Sequence, residues 1–239
     1  MSKLSLIIPC YNEEASIQTV LERICNISLR RGLEKEMVIV DDGSNDKTFQ
    51  LICHFAEQYP QFSIRILQHE KNRGKGACVR TAIPETSGDI ILIQDADLEY
   101  NPADYDKLIE PIIEGHADVV YGSRFRGSEA HRVLFFLHSA ANKFLTFWSN
   151  VFTGLNLTDM ETGYKMFRKD ILKNIRLKEN RFGFEPEVTA KISRVKKIRI
   201  YEVGISYYGR TYEDGKKIRW TDGVKALYYI LKYNIFSRK

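Results

Sequence analysis

The sequence predicts an α/β fold, a mostly parallel sheet flanked by helices, with a C-terminal segment of different pattern. Three observations carry this prediction. Short apolar runs rich in Val and Ile alternate with segments of helical pattern through residue 122. The runs are apolar on both faces, as strands buried between helix layers are. Polar clusters stand at the ends of four runs, where open parallel sheets hold their ligands.

The elements follow in order. "LSLII" (4–8) is the first strand, with a helical segment over 14–27. "MVIVD" (37–41) is the second, followed by a helix over 47–59. "SIRIL" (63–67) is the third. The helix after it, 75–86, opens from the glycine-rich stretch "RGKGACVR" (73–80). That stretch has neither the P-loop spacing nor G-x-G-x-x-G, so it reads as a turn, with Lys75 near a ligand. "DIILIQ" (89–94) is the fourth strand. Its helix, 102–114, has Asn101 as N-cap, Pro102 at the first helical position and Asp104 in the first turn. "ADVVYG" (117–122) is the fifth strand. Beyond it, residues 133–155 carry Leu134, Leu137, Ala141, Leu145, Trp148, Phe152 and Leu155 at helical spacing. Ser139, Asn142, Lys143, Thr146 and Ser149 fill much of the rest, the pattern of an amphipathic helix. A strand over 163–167, a helix near 185–194, the stretch 196–210 and a last helix over 221–233 complete the chain. The expected organisation is one domain in two halves, 1–125 and 126–239.

Bulk properties exclude several classes. The 239 residues are 44% hydrophobic and 28% charged, which suits neither disorder nor a coiled coil. The four cysteines form no C-x-x-C pair and the five histidines lack ligand spacing, so no zinc site or disulfide framework is expected. Reduced cysteines suit a cytoplasmic protein. The first apolar run is too short for a signal peptide, and no stretch approaches the ~18 apolar residues of a membrane span. The expectation is a protein in solution or peripheral on a membrane. A charge of +5 and a pI near 8.9 suit a polyanionic ligand or an anionic membrane surface. There is no clustered basic stripe, so nucleic acid is not an expected partner.

Asp95, Asp97 and Glu99 alternate in "QDADLE". In an extended chain they would present oxygens to one side. Like charges that close repel unless a cation sits among them, and oxygen donors suit Mg²⁺ or Mn²⁺. The pattern predicts a divalent metal holding a diphosphate. Arg124, at the end of the neighbouring strand, has the donor fork that matches phosphate.

"IIPCYNEE", "VDDGSNDKT", "QDADLE" and "GSR", in that order and spacing, resemble the family-2 glycosyltransferases of the GT-A, Rossmann-like fold. The resemblance covers residues 1–125. "TGYKMFR", "FGFEPE" and "YYGRTYEDGKKI" are similar, less strictly, to the polyprenyl-phosphate branch, the dolichyl-phosphate mannosyl- and glucosyltransferases. The resemblance implies that Pro9, Tyr11 and Glu13 line the nucleotide pocket, with Val40 and Asp42 against base and ribose. Asp95 and Ala96 would touch the nucleotide sugar, Asp97 (as catalytic residue) and Glu99 would hold the metal, and Arg124 would grip the diphosphate. Relatives often carry Gln where this chain has Glu99. Arg210 and Lys216 would close over the diphosphate from the C-terminal loop.

The implied reaction is metal-dependent, inverting transfer of a hexose from a nucleotide sugar of the GDP-mannose or UDP-glucose type to a polyprenyl phosphate. A sugar hydroxyl acceptor needs a general base. A lipid phosphate, with a second pKa near ~6, does not. Asp159 and Glu161 are the candidates for a base or for orienting the acceptor, and Arg132 for meeting its phosphate. Helix 133–155 is either core or lies on the bilayer at the cytoplasmic face. Relatives in this branch often carry transmembrane helices after the catalytic domain and none follows here, so the expectation is peripheral attachment, with a membrane-protein partner or a second copy. Three alternatives stay open: a soluble or cell-surface glycan acceptor, a nucleotidyltransferase, and a non-catalytic nucleotide-sugar-binding subunit, against which the intact carboxylates argue.

Overall fold

The computed structural model describes residues 3–127, 136–181, 183–209 and 220–237. The apolar runs become β1 (Lys3–Cys10), β2 (Glu34–Asp41), β3 (Ser63–Gln68), β4 (Ile90–Ile93) and β5 (Val119–Ser123), joined by β6 (Lys165–Arg168) and β7 (Ile200–Gly204). They form one seven-stranded sheet in the order β3-β2-β1-β4-β6-β5-β7. β1 pairs parallel with β2 and β4, β2 with β3, and β5 with β7. β6 runs antiparallel between β4 and β5. β1, β2, β4 and β5 therefore all end at the same edge of the sheet.

Side chains alternate across the strands and so build two cores. Leu4, Leu6, Ile8, Met37, Ile39, Ile90 and Leu92 face α1 (Ile17–Asn26), α2 (Thr48–Gln58) and α4 (Tyr105–Ile113). Ile7, Val38, Val40, Ile91 and Ile93 face α3 (Lys75–Ala82), α5 (Phe136–Thr153), α7 (Phe184–Ile192) and α8 (Trp220–Leu231). The short α6 (Lys169–Asn174) follows β6.

Several elements differ from expectation for physical reasons. β3 is an edge strand with alternating exposed positions, not a strand buried on both faces. α3 stops at Ala82 and passes into a 3₁₀ turn, Ile83–Glu85, because Pro84 has no N–H to continue it. Asn101 does cap, accepting from the Ala103 N–H at 3.1 Å, but the first turn, Pro102–Asp104, is 3₁₀. β6 begins at Lys165 rather than at 163, because the Gly163 N–H donates to Tyr100 Oη at 2.7 Å.

The later part of the predicted apolar stripe of α5 turns inward: Leu145 is buried, with Trp148, Phe152 and Leu155 packed against the same core, whereas Ala141 is exposed. The expected polar face, however, is largely not on solvent. Thr146 and Ser149 are buried, and Asn142 donates to Asp159 Oδ1 at 3.2 Å. The outer face carries Phe136, Phe144, Phe147 and Val151 instead. No described helix is long and apolar enough to cross a membrane.

Candidate functional site

Two strand-end loops clasp each other at the β1–β2 side. The Asn12 N–H donates to Ser44 Oγ at 3.0 Å, and the Asn45 N–H to Asn12 Oδ1 at 2.9 Å. The Glu13 N–H donates to Thr48 Oγ1 at 2.8 Å. Pro9, Tyr11 and Glu13 are half-buried along this seam. Ser16 ties it to the next strand end, donating to the carbonyl of the buried Ala96 at 2.9 Å.

The aspartate doublet at the end of β2 splits between the two faces. Val40 is buried in the α3-side core, and Asp42, 2% exposed, points the same way. Asp42 accepts from the N–H groups of Arg73 and Gly74 at 2.9 and 2.6 Å and lies 2.7 Å from His69 Nδ1. His69 Nε2 in turn meets Thr81 Oγ1 at 2.9 Å. Asp42, His69 and Cys78 bring their donor atoms within 4.8 Å of one another. The first two are hydrogen-bonded throughout, and burial, then Asp42, pushes the Cys78 thiol up, so it holds its proton. This trio pins the loop ahead of α3 and is a poor cation site.

Asp41 was not among the expected site residues. It is fully buried, and Oδ1 has no hydrogen-bond partner among the described residues. Oδ2 accepts from the Ser44 N–H at 3.2 Å and from Gln68 Nε2 at 3.3 Å. Gln68 and Ser44 line a cleft of about 280 Å³ with Gly43, Asn45, His69 and Glu70. A larger cleft, about 620 Å³, contains none of the expected site residues. The strand alternation in "VIVDD" was the available signal for Asp41, since it puts the two aspartates on opposite faces.

The carboxylates after β4 do not lie on an extended strand as expected. The strand ends at Ile93 and residues 96–99 bend, with the Glu99 N–H donating to Asp97 Oδ1 at 3.1 Å. The bend, not the alternation, sets the Glu99 backbone against the Asp97 carboxylate. Both are half-buried at the sheet edge. Their all-oxygen donor set fits Mg²⁺ or Mn²⁺ better than the nitrogen and sulfur of the trio above.

Arg124 follows β5 and is gripped by Asp159 in a two-pronged ion pair, Nε to Oδ2 at 2.7 Å and Nη2 to Oδ1 at 2.8 Å. Asp159 is fully buried. Burial works to raise its carboxyl, but the guanidinium outweighs burial and holds it below the ordinary value. The Arg124 guanidinium carbon lies 5.1 Å from the centre of the Tyr207 ring. Tyr207 Oη donates to Glu99 Oε2 at 2.8 Å. An unbroken chain thus runs from Asp159 through Arg124 and Tyr207 to Glu99. Tyr207 too was absent from the expected set; its partner is 108 residues away, beyond the reach of spacing arguments.

Lys75 lies 2.7 Å from Asp95 Oδ1 and 3.2 Å from Glu185 Oε1. Burial disfavours its charge, but Asp95 and Glu185 overcome this and raise it. A Cβ on Gly163 would fall 2.2 Å from Asp95 Oδ2, so the segment holding Glu161 lies flush against this carboxylate. Arg132, Arg210 and Lys216 lie outside the described residues.

A model of the glycosyl transferase family 2 matches residues 5–176. The chain is 27% identical over 234 residues to a dolichol-phosphate mannosyltransferase of Pyrococcus furiosus, covering 97% of this chain and 64% of that one. It is 29% identical over 241 residues to a UDP-N-acetylglucosamine–dolichyl-phosphate N-acetylglucosaminyltransferase of Methanococcus voltae, covering 95% and 94%. A dolichyl-phosphate β-glucosyltransferase of Trichomonas vaginalis is 29% identical over 250 residues, covering 98% and 74%. Among solved structures, glucosyl-3-phosphoglycerate synthase of Mycobacterium tuberculosis, in complex with Mn²⁺, UDP and glucosyl-3-phosphoglycerate, superposes with a TM-score of 0.71 at 17% identity, over 98% of this chain and 80% of that one. This likeness shows a shared GT-A fold.

Proposed function

Since the chain belongs to glycosyl transferase family 2, we propose that it moves a hexose from a nucleotide sugar to a polyprenyl phosphate, with inversion. The observation that carries this is the chain from Asp159 through Arg124 and Tyr207 to Glu99, which sets a cation beside two carboxylates at the edge where four strands end. The acceptors named for the relatives support the lipid phosphate.

Pro9, Tyr11 and Glu13 line the nucleotide side. Asp41 takes over from Asp42 as the acceptor for the base or ribose, because its Oδ1 lacks a partner among the described residues and its Oδ2 is held by Ser44 and Gln68, which line a cleft, while Asp42 is fully engaged. Asp97 and Glu99 would hold Mg²⁺ or Mn²⁺, and the ion would supply positive charge to the diphosphate. Arg124 faces the same charge from the β5 side, and Arg210 and Lys216 are assigned to it from the C-terminal loop. Asp95 and Ala96 lie beside the sugar.

A phosphate oxygen of the lipid, met by Arg132, attacks the anomeric carbon opposite the diphosphate. The bond from that carbon to the diphosphate breaks, and the nucleoside diphosphate leaves. The acceptor is already an anion, so no base is required. This suits Asp159, whose carboxylate is committed to Arg124 and has no ordinary proton affinity. Asp159 is therefore a positioning residue and not the base.

The test is a transfer assay with Mg²⁺ or Mn²⁺, a panel of nucleotide sugars, and polyprenyl phosphate present or absent. Organic-phase product identified by mass, lost in Asp97→Ala and without lipid, is the expected result. Equal turnover without lipid would remove the acceptor from the proposal.

A further inference from the structure

Two buried polar atoms just ahead of Gly163 lack hydrogen-bond partners among the described residues: Glu161 Oε1 and Thr162 Oγ1. An unmade hydrogen bond at a buried atom costs ~1–3 kcal/mol, so each atom calls for a partner that the described residues do not supply. Lys165, fully buried, donates to the Thr162 carbonyl, which fixes the segment from behind. Gly163 presses the same segment against Asp95 at the end of β4. Glu161 itself remains partly exposed, so its covered oxygen stands at the wall of the site.

Resting on the transferase reading above, we propose that Glu161 and Thr162 form the subsite for hydroxyl groups of the transferred sugar, and that this subsite takes an uncharged hexose. The charges decide between candidate ligands. Asp95 and Glu185 share Lys75, and Asp159 holds Arg124; Lys165 is the remaining basic group, and burial pushes it down to about 8 against the pull of Glu185. Three carboxylates thus stand against two paired cations and one weakened one, and Glu161 is the seventh group. Burial, then Glu185, pushes its carboxyl up to about 8, so it carries its proton at neutral pH. A neutral carboxyl both donates and accepts, and so does an alcohol. A phosphate or a uronate placed here would add negative charge beside these three carboxylates; a polyol adds none.

Isothermal titration calorimetry with Mg²⁺ tests this. Each of UDP-glucose and GDP-mannose is compared with its bare diphosphate, in the wild type, Glu161→Gln, Glu161→Ala and Thr162→Val. The sugar that is the substrate should tighten binding over the bare diphosphate. Glu161→Ala should erase about tenfold of that advantage and leave diphosphate affinity unchanged, which also certifies folding. Glu161→Gln, able to donate and accept, should keep most of it. Thr162→Val should lose a smaller part, and UDP-glucuronate should bind no tighter than UDP. Equal weakening of sugar nucleotide and diphosphate in Glu161→Ala, no change in either, or tight UDP-glucuronate binding would overturn the assignment alone. Failure of the wild type to bind any diphosphate would overturn the transferase reading, and this assignment with it.

Discussion

At the residue scale, the Arg124–Asp159 pair shows how burial changes what a carboxylate does. A buried cation with its partner removed has lost both water and counter-charge. Asp159→Ala should therefore cost ~3–5 kcal/mol of stability, measured by urea unfolding. Asp159→Asn keeps the shape but not the charge, so it should also be destabilised, and its diphosphate affinity should fall because Arg124 is no longer aimed. The sign with pH follows from the carboxyl being held low in the folded state. The folded form releases a proton that the unfolded chain still binds, so the pair's contribution is complete above the ordinary aspartate range. It is lost as pH falls through the depressed folded value. The gap between wild type and Asp159→Asn should thus shrink on acidification. A gap that stays constant with pH would mean that Asp159 acts by shape alone. None of this pairing is visible in "TDMETGY", where Asp159 and Glu161 look alike. Only the fold puts one opposite an arginine and leaves the other with an oxygen that has no partner among the described residues.

At the element scale, "RGKGACVR" has its explanation in a neighbour rather than in a ligand. A Cβ on Gly76 would fall 2.3 Å from the Glu179 carbonyl oxygen, and one on Gly74 would fall 2.4 Å from that of Asn180. The Ala77 N–H donates to the Asn180 carbonyl, and Arg80 reaches the same segment, donating to the Glu179 carbonyl and to Asn180 Oδ1. The glycines let backbone dock on backbone and so fix the start of α3, where Lys75 leaves for Asp95. Gly76→Ala should cost ~1–3 kcal/mol, since backbone must shift. Gly223→Ala in α8, where nothing lies within 4 Å, should instead stabilise by about 0.5–1 kcal/mol. Thermal melts of the two variants moving the same way would refute this account. Four strands, β1, β2, β4 and β5, were legible because burial on both faces leaves continuous apolar runs, and β3 because its apolar residues still stand in a short run. β6 was legible as a strand but not as an antiparallel insertion, because "GYKMF" carries no mark of direction. The orientation of α5 was misread where its polar residues turn inward to the 157–160 segment, since a buried polar network has no helical period of its own.

At the scale of the whole molecule, α5 and α8 pack side by side and share an apolar outer surface. Phe144, Phe147 and Val151 on α5, and Val224 and Tyr228 on α8, are each more than half exposed, with Phe236 beyond them. Single exposed apolar residues are ordinary, but a run of them along two adjacent helices calls for a covering surface. Lys143 and Lys225 are exposed on the same helices, which fits an anionic bilayer interface. The inward side of α5 meets Asp159 through Asn142, so a membrane on its outer side would lie one helix away from Arg124. A lipid phosphate could then reach the site without leaving the bilayer. Full burial of a Phe side chain is worth ~1.5–3 kcal/mol. Replacing Phe144 and Phe147 together by Ser should therefore weaken co-sedimentation with anionic vesicles at least about tenfold, even with partial immersion. The same variant should keep its nucleotide affinity and its turnover of a short-chain, water-soluble prenyl phosphate, and lose turnover of the long-chain acceptor in vesicles. Unchanged vesicle binding would remove the bilayer from this face. Loss of turnover with the soluble acceptor as well would mean that the aromatic face supports the site itself, since a purely interfacial surface has no reason to act on a substrate that never enters the membrane.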